Sequence, residues 1–192
     1  DVAVTGVQTC ALPISIQAAI DGLGINGGTV LFPAGTYLVS SAITFSTPAS
    51  FAVPVLLKGE GAYATTITAS HSGVVFDCRT AGYQALMMEN ILMRGPGKTV
   101  SGSVGIDCAF AYGYLDRVSF ATFETAIDCT NSNLARMRQL NIINCTFGIY
   151  AVNAVSTANI LYLDQSWLSY CDNATKITLF GTVTIRQSYY EQ

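Results

Sequence analysis

Three aspartates recur in one short unit: Phe76-Asp77-Cys78, Ile106-Asp107-Cys108 and Ile127-Asp128-Cys129. In extended chain, neighbouring side chains leave on opposite faces, so inward cysteines send these carboxylates outward. If the units stack, the carboxylates form a line with a spacing of roughly 4.8 Å. Such neighbours repel, and a cation, raised carboxyl pKa values or solvent screening must offset the repulsion. Adjacent carboxylates approach the separation of a retaining glycosidase pair. Those two units apart, at roughly 9–10 Å, approach the inverting separation. A bridging Ca2+ with a nearby arginine as base would instead suit β-elimination from a uronate. Arg79 and Arg94 lie nearby in the chain. Asp77, Asp107, Asp128 and Arg79 are therefore the candidate catalytic residues. The alternative is a hydrated acidic stripe that keeps the surface soluble.

A second unit reads apolar, polar, polar, then mostly apolar. It places Glu89, Asp116, Arg138, Asp164 and Arg186 at equivalent positions. Their partly alternating signs suit ion pairs between stacked units, a registration device more than an active site. Gln139, Gln165 and Gln187 follow them as a stacked amide series. Trp167 and Tyr189 are equivalent and outward, and aromatic faces stack on sugar rings. They are the candidate carbohydrate-binding residues; packing against further repeats is the other reading. His71 is the single histidine, so neither a histidine-based triad nor a multi-histidine zinc site can be built. No cysteine spacing matches zinc, and the repeated cysteines read as an inward ladder of small apolar groups.

The spacing of the two units dictates what positions these residues. The first advances by 30, 21 and, through the looser copy Ile149-Tyr150-Ala151, 22 residues; the second advances by 27, 22, 26 and 22. Each unit has strand length and composition, bounded by short polar breaks. Short strands repeated in step at about 22 residues bury their apolar faces by stacking in parallel. The expected fold is all-β, a right-handed single-stranded parallel β-helix. A β-sandwich needs antiparallel hairpins and would not repeat two motifs in register.

The 192 residues suit one domain, and 12 acidic against 9 basic residues leave no basic footprint for nucleic acid. With 51% hydrophobic and 11% charged residues, intrinsic disorder is excluded. The longest apolar runs, 51–57 and 109–115, are far shorter than the roughly 20 residues of a membrane span. Val4–Ile14 resembles the in-frame translation of a sequencing adapter. Residues 1–15 are therefore expected to be a non-native leader, and 16–192 a β-helix domain truncated at its ends. A signal peptide is not legible from such a start.

Ile16, Ala19, Ile20 and Leu23 share one face of a short helix that begins at Ser15, a cap for the open end of the solenoid. Gly27-Gly28-Thr29-Val30-Leu31-Phe32-Pro33-Ala34-Gly35-Thr36-Tyr37 follows, then Leu56-Leu57-Lys58-Gly59-Glu60-Gly61. Over residues 16–70 the chain resembles the start of the pectate-lyase-like superfamily. That group includes rhamnogalacturonase-like, epimerase-like and phage-tailspike-related proteins. The resemblance implies an extracellular or virion-surface protein that acts on acidic polysaccharide such as pectin, as lyase or glycoside hydrolase, with Ca2+ if a lyase. The alternative it implies is a non-catalytic polysaccharide-binding or structural β-helix, trimeric if tailspike-like. The fold alone does not choose. The hydrolase pattern of Asn-Thr-Asp, paired Asp, Gly-His-Gly and Arg-Ile-Lys is absent.

Overall fold

The computed structural model describes residues 2–3, 13–45, 54–78, 84–108, 110–130, 132 and 134–191. Short β1 (Val2–Ala3) precedes α1 (Pro13–Gly22) and a 3-10 turn, Gly24–Asn26. Parallel strands follow, three to a winding. They are β2 (Gly28–Phe32), β3 (Gly35–Val39) and β4 (Ile43–Thr44); β5 (Val55–Gly59), β6 (Thr65–Ala69) and β7 (Val74–Asp77); β8 (Gln84–Glu89), β9 (Leu92–Arg94) and β10 (Val104–Asp107); β11 (Phe110–Asp116), β12 (Ser119–Ala121) and β13 (Thr125–Asp128). Next come β14 (Leu134–Arg138), β15 (Asn141–Ile143), β16 (Phe147–Asp164), β17 (Trp167–Ser169), β18 (Asn173–Arg186) and β19 (Tyr189–Glu191).

The first, second and third strands of each winding build three faces of a parallel β-solenoid. Every pairing is parallel and each joins a strand to its equivalent one winding away, as in β5 with β8 and β12 with β15. The second face is a seven-stranded sheet, β3-β6-β9-β12-β15-β17-β19. The long strands β16 and β18 run unbroken from the third face into the first face of the next winding, which joins those two faces into one sheet.

Alternation selects the inward residues, and register stacks like on like. On the first face Val30, Leu57, Met88, Leu115, Met137 and Leu163 superimpose, each no more than 2% exposed. On the second, Tyr37, Ile67, Met93, Phe120, Ile142 and Leu168 do so. On the third, Ile43, Phe76, Ile106, Ile127 and Ile149 do so. A rung buries too little by itself; continuous stacks remove these side chains from water.

Two single-residue corners turn the chain. Asn90, Arg117, Gln139, Gln165 and Gln187, with φ between 45° and 57°, lead from the first face to the second; Thr122, Asn144 and Tyr170, with φ between 54° and 61°, lead from the second to the third. Non-glycine residues avoid this left-handed region, and the stacking that holds them there offsets the strain. The corner N–H of Gln139 donates to the Asp164 carbonyl at 3.0 Å and that of Gln165 to Arg186 at 3.0 Å, so the ladder passes through the bend unbroken.

The helix caps the open first winding, as expected, but starts at Pro13 instead of Ser15. Proline suits the first helical turn because its missing N–H would have no partner there. The boundary placed at residue 15 thus cuts through α1, and Val2–Ala3 pairs in parallel with β2. Ile16, Ala19 and Ile20 pack on the core. The Gln17 side chain treats β4 as a strand would: its Nε2 donates to the Thr44 carbonyl at 2.7 Å and its Oε1 accepts the Thr44 N–H at 2.9 Å. One amide side chain thereby replaces a backbone peptide along an edge that would otherwise recruit other chains. Gln17→Ala is expected to cost about 1–2 kcal/mol in urea unfolding. It should also raise concentration-dependent light scattering; wild-type values for both would refute the capping role.

Candidate functional site

The three candidate aspartates superimpose. Asp107 pairs in register with Asp77 on one side and Asp128 on the other. Beneath them Cys78, Cys108 and Cys129 are fully buried, and the Cys108 and Cys129 sulfurs lie 3.7 Å apart. Burial pushes the Cys78 and Cys108 thiols well above the ordinary thiol range, with the nearby aspartates adding to the effect. They are core groups and no nucleophiles. The carboxylates depart from the expected hydrated stripe, however: Asp107 is only 6% exposed, and Asp77 and Asp128 are half-buried. The Asp128 carboxylate accepts the Thr130 N–H at 2.9 Å.

Of the expected basic partners, only Arg94 is among the described residues, and it does not share this ladder. Arg79 lies outside the described residues. Arg94 ends β9 on the second face, in register with Thr68 and Ala121. The cation that shares the ladder is Lys176, which follows Asp128 and Tyr150 in register. Its ammonium sits 5.4 Å from the Tyr150 ring centre and 5.5 Å from that of Phe147, a cation–π arrangement. Ile149-Tyr150-Ala151 signalled this continuation; Thr175-Lys176-Ile177, one step further, keeps the apolar flanks but has lost the aspartate. Among the described residues no group of three or more His, Cys, Asp or Glu side chains is arranged to hold a metal ion. His71 sits in a turn with its Nδ1 accepting the Gly73 N–H at 3.0 Å, and burial lowers its pKa.

The second ladder is in register along its whole length, Lys58-Glu89-Asp116-Arg138-Asp164-Arg186. Asp116 is its centre, 2% exposed. Arg138 meets it with two nitrogens, at 2.9 and 3.3 Å, and Arg117 approaches to 2.7 Å. The hydrogen bond and charge of Asp116 raise the Arg138 pKa. At the adjoining corner Gln139 donates to Gln165 at 3.4 Å and Gln165 to Gln187 at 3.1 Å, the expected amide series. Ion pairs and amides thus lock the windings in step.

On either side of this amide corner the outer surface changes character. The first face carries a shallow groove of about 210 Å3 lined by Tyr114, Arg136, Arg138, Tyr162, Asp164 and Arg186. Arg136 lies over the Tyr162 ring at 5.5 Å. On the second face Trp167 and Tyr189 are in register, 50% and 54% exposed, with ring centres 4.9 Å apart and planes tilted by 57°. One winding before Trp167, Asn141 donates its amide to the Tyr63 hydroxyl at 2.8 Å. Only Gln187 and Ser188 separate Arg186 from Tyr189. The groove and the Asn141–Tyr63 contact escaped sequence reasoning. Arg136 and Tyr162 carry no repeated motif, and Tyr63 reaches Asn141 from a loop 78 positions away.

No protein family matches the chain. No curated protein matches it either. Among solved structures, Geobacillus virus E2 ORF18 is similar at a TM-score of 0.45 and 18% identity, over 92% of this chain and 44% of that one. The chain thus spans less than half of that protein. The parallel β-solenoid is the part of the expected resemblance that the structure shows. No described helix is long and apolar enough to cross a membrane.

Because buried Asp116 is shared by two half-exposed guanidinium groups, its loss breaks both ion pairs and leaves Arg117 only the Asn90 amide oxygen at 2.7 Å, whereas loss of either arginine leaves the other paired. Asp116→Asn is expected to lower the thermal midpoint by more than Arg117→Ala or Arg138→Ala. Equal midpoints for the three variants would remove Asp116 from its central role.

Proposed function

We propose that this protein is a polysaccharide-binding β-helix of an extracellular or virion surface, trimeric if it is built as tailspikes are. The carrying observation is the exposed ring pair Trp167–Tyr189, held in register on a rigid sheet. Sugar rings present apolar C–H faces to such platforms. Buried in a core, these rings would need no explanation; half exposed, they form an apolar surface that a sugar face complements. The amides of Gln165 and Gln187 and the guanidinium of Arg186 lie next along the chain and suit hydroxyl and carboxylate groups. An acidic polymer such as pectin, laid across the corner, would meet stacking and charge together.

Trp167 is the single tryptophan, so its fluorescence reports this site alone. Oligogalacturonates are expected to change that emission saturably. Tyr189→Ala should weaken binding about tenfold, the worth of one stacking contact. A Trp167 signal unmoved by acidic and neutral oligosaccharides alike would defeat the binding reading.

Catalysis is the second reading, favoured by the unbroken Asp77-Asp107-Asp128 register. In it the carboxylates, with Arg79 and a bridging Ca2+, would act on a uronate polymer by elimination or hydrolysis. Polygalacturonate incubated with the protein would then yield unsaturated ends by absorbance, or new reducing ends, and Asp107→Asn would abolish them. The absence of both products, with and without Ca2+, would leave only the binding role.

A further inference from the structure

On the outer surface of the first face two columns run side by side, Tyr114-Arg136-Tyr162 and Arg138-Asp164-Arg186. Together they line the groove of about 210 Å3. Three of its lining residues are arginines and one, Asp164, is acidic, in a chain whose net charge is -3. Arg138 is committed to Asp116, at 2.9 and 3.3 Å. Among the described residues neither Arg136 nor Arg186 forms an ion pair. Asp164 offsets one charge, so the groove keeps a cationic surplus. The guanidinium of Arg136 lies over the Tyr162 ring, 5.5 Å from its centre. The ring attracts the cation but gives its N–H fork no acceptor. Strands β14, β16 and β18 carry these groups on one parallel sheet, which fixes their spacing. A groove of about 210 Å3 is smaller than the roughly 300–1,000 Å3 of sites that enclose a whole small molecule. It suits one charged group of a ligand whose remainder lies outside.

We propose that Arg136 and Arg186 form an oxyanion subsite for the acid group, carboxylate or sulfate ester, of a sugar polymer. The polymer is that of the polysaccharide reading, on which its identity rests; capture of the anion rests on the arginines alone. Planar guanidinium groups donate paired N–H bonds to such oxyanions, and charge assistance makes these bonds about twice as strong as neutral ones. Tyr114 and Tyr162 flank Arg136 in register, and their rings reduce the screening of that contact by water. Arg186 stands beside the corner where Gln187 and Ser188 lead to Tyr189. A polymer seated on the Trp167–Tyr189 rings therefore reaches the groove by crossing that corner.

The full chain is titrated calorimetrically with an oligogalacturonate, with its methyl ester and with a sulfated galacto-oligosaccharide. At least one acidic oligomer is expected to bind about tenfold more tightly than the ester. Arg136→Gln and Arg186→Gln should each remove most of that advantage without changing the affinity for the ester. Lys98→Gln, the same charge change on the loop between β9 and β10, should not. Whichever acid shows the arginine-dependent gain names the group the subsite takes. The subsite is overturned if ester and acids bind alike, if both arginine variants keep the wild-type preference, or if Lys98→Gln abolishes it equally. In each of those cases, ester binding that still moves the Trp167 emission leaves the polysaccharide reading standing. If no oligosaccharide binds, that reading fails and inorganic sulfate decides the subsite: saturable NMR shifts of the Arg136 and Arg186 guanidinium signals uphold it, and their absence overturns it. Should a variant fail to fold, the wild-type preference for acid over ester decides.

Discussion

Superposition of equivalent residues at the spacing of one strand governs this molecule. A three-stranded winding cannot close a core by itself, so each inward side chain has to rest on its counterpart above and below. A slip of one residue would send every inward side chain of a strand to the outside. The stacked Leu, Met, Ile and Phe columns therefore hold the windings together and define where each begins and ends. Strained left-handed corners persist because the columns on both sides fix the positions of the strands they join.

The same constraint brings like polar groups together, and the protein handles this in two ways. Along the first face the signs alternate from Asp116 onward, with Arg138 between Asp116 and Asp164, and buried Asp116, which follows Glu89, is met by Arg138 and by the corner residue Arg117. Along the third face it repeats the sign: Asp77, Asp107 and Asp128 crowd at strand spacing, and only Tyr150 and Lys176 end the series. Registration explains the first arrangement fully. The second sets three like residues one above another, with the middle one nearly buried. The exposed rings of Trp167 and Tyr189 follow from the same stacking; register that aligns core residues inside aligns aromatic faces outside.

Much of this was legible in the chain before any coordinates. The apolar-Asp-Cys units, the charged series and the glutamine series recur at matching intervals, and each proved to be a ladder in register. The amphipathic segment near the start proved to be the cap, two residues longer at its front because Pro13 suits a first turn. The cap's decisive contact was not legible, since nothing in Gln17 announces that its amide will pair with Thr44. Nor did outward alternation reveal that Asp107 would be nearly buried, because alternation assigns a face and says nothing of what covers it.

Periodic information is local and repeated, so the sequence by itself determined the solenoid, its inward columns and which residues share a ladder. Where the ladders sit relative to one another is set by corner geometry and loop paths, which do not repeat. Only the tertiary structure decided that Arg94 is on a different face from the aspartates and that Lys176 ends their series. It alone brought Tyr63 to Asn141 and set the arginine-lined groove and the aromatic pair on either side of one corner. The physical reason is that a repeat specifies neighbours along the axis, whereas a site is made by neighbours around it.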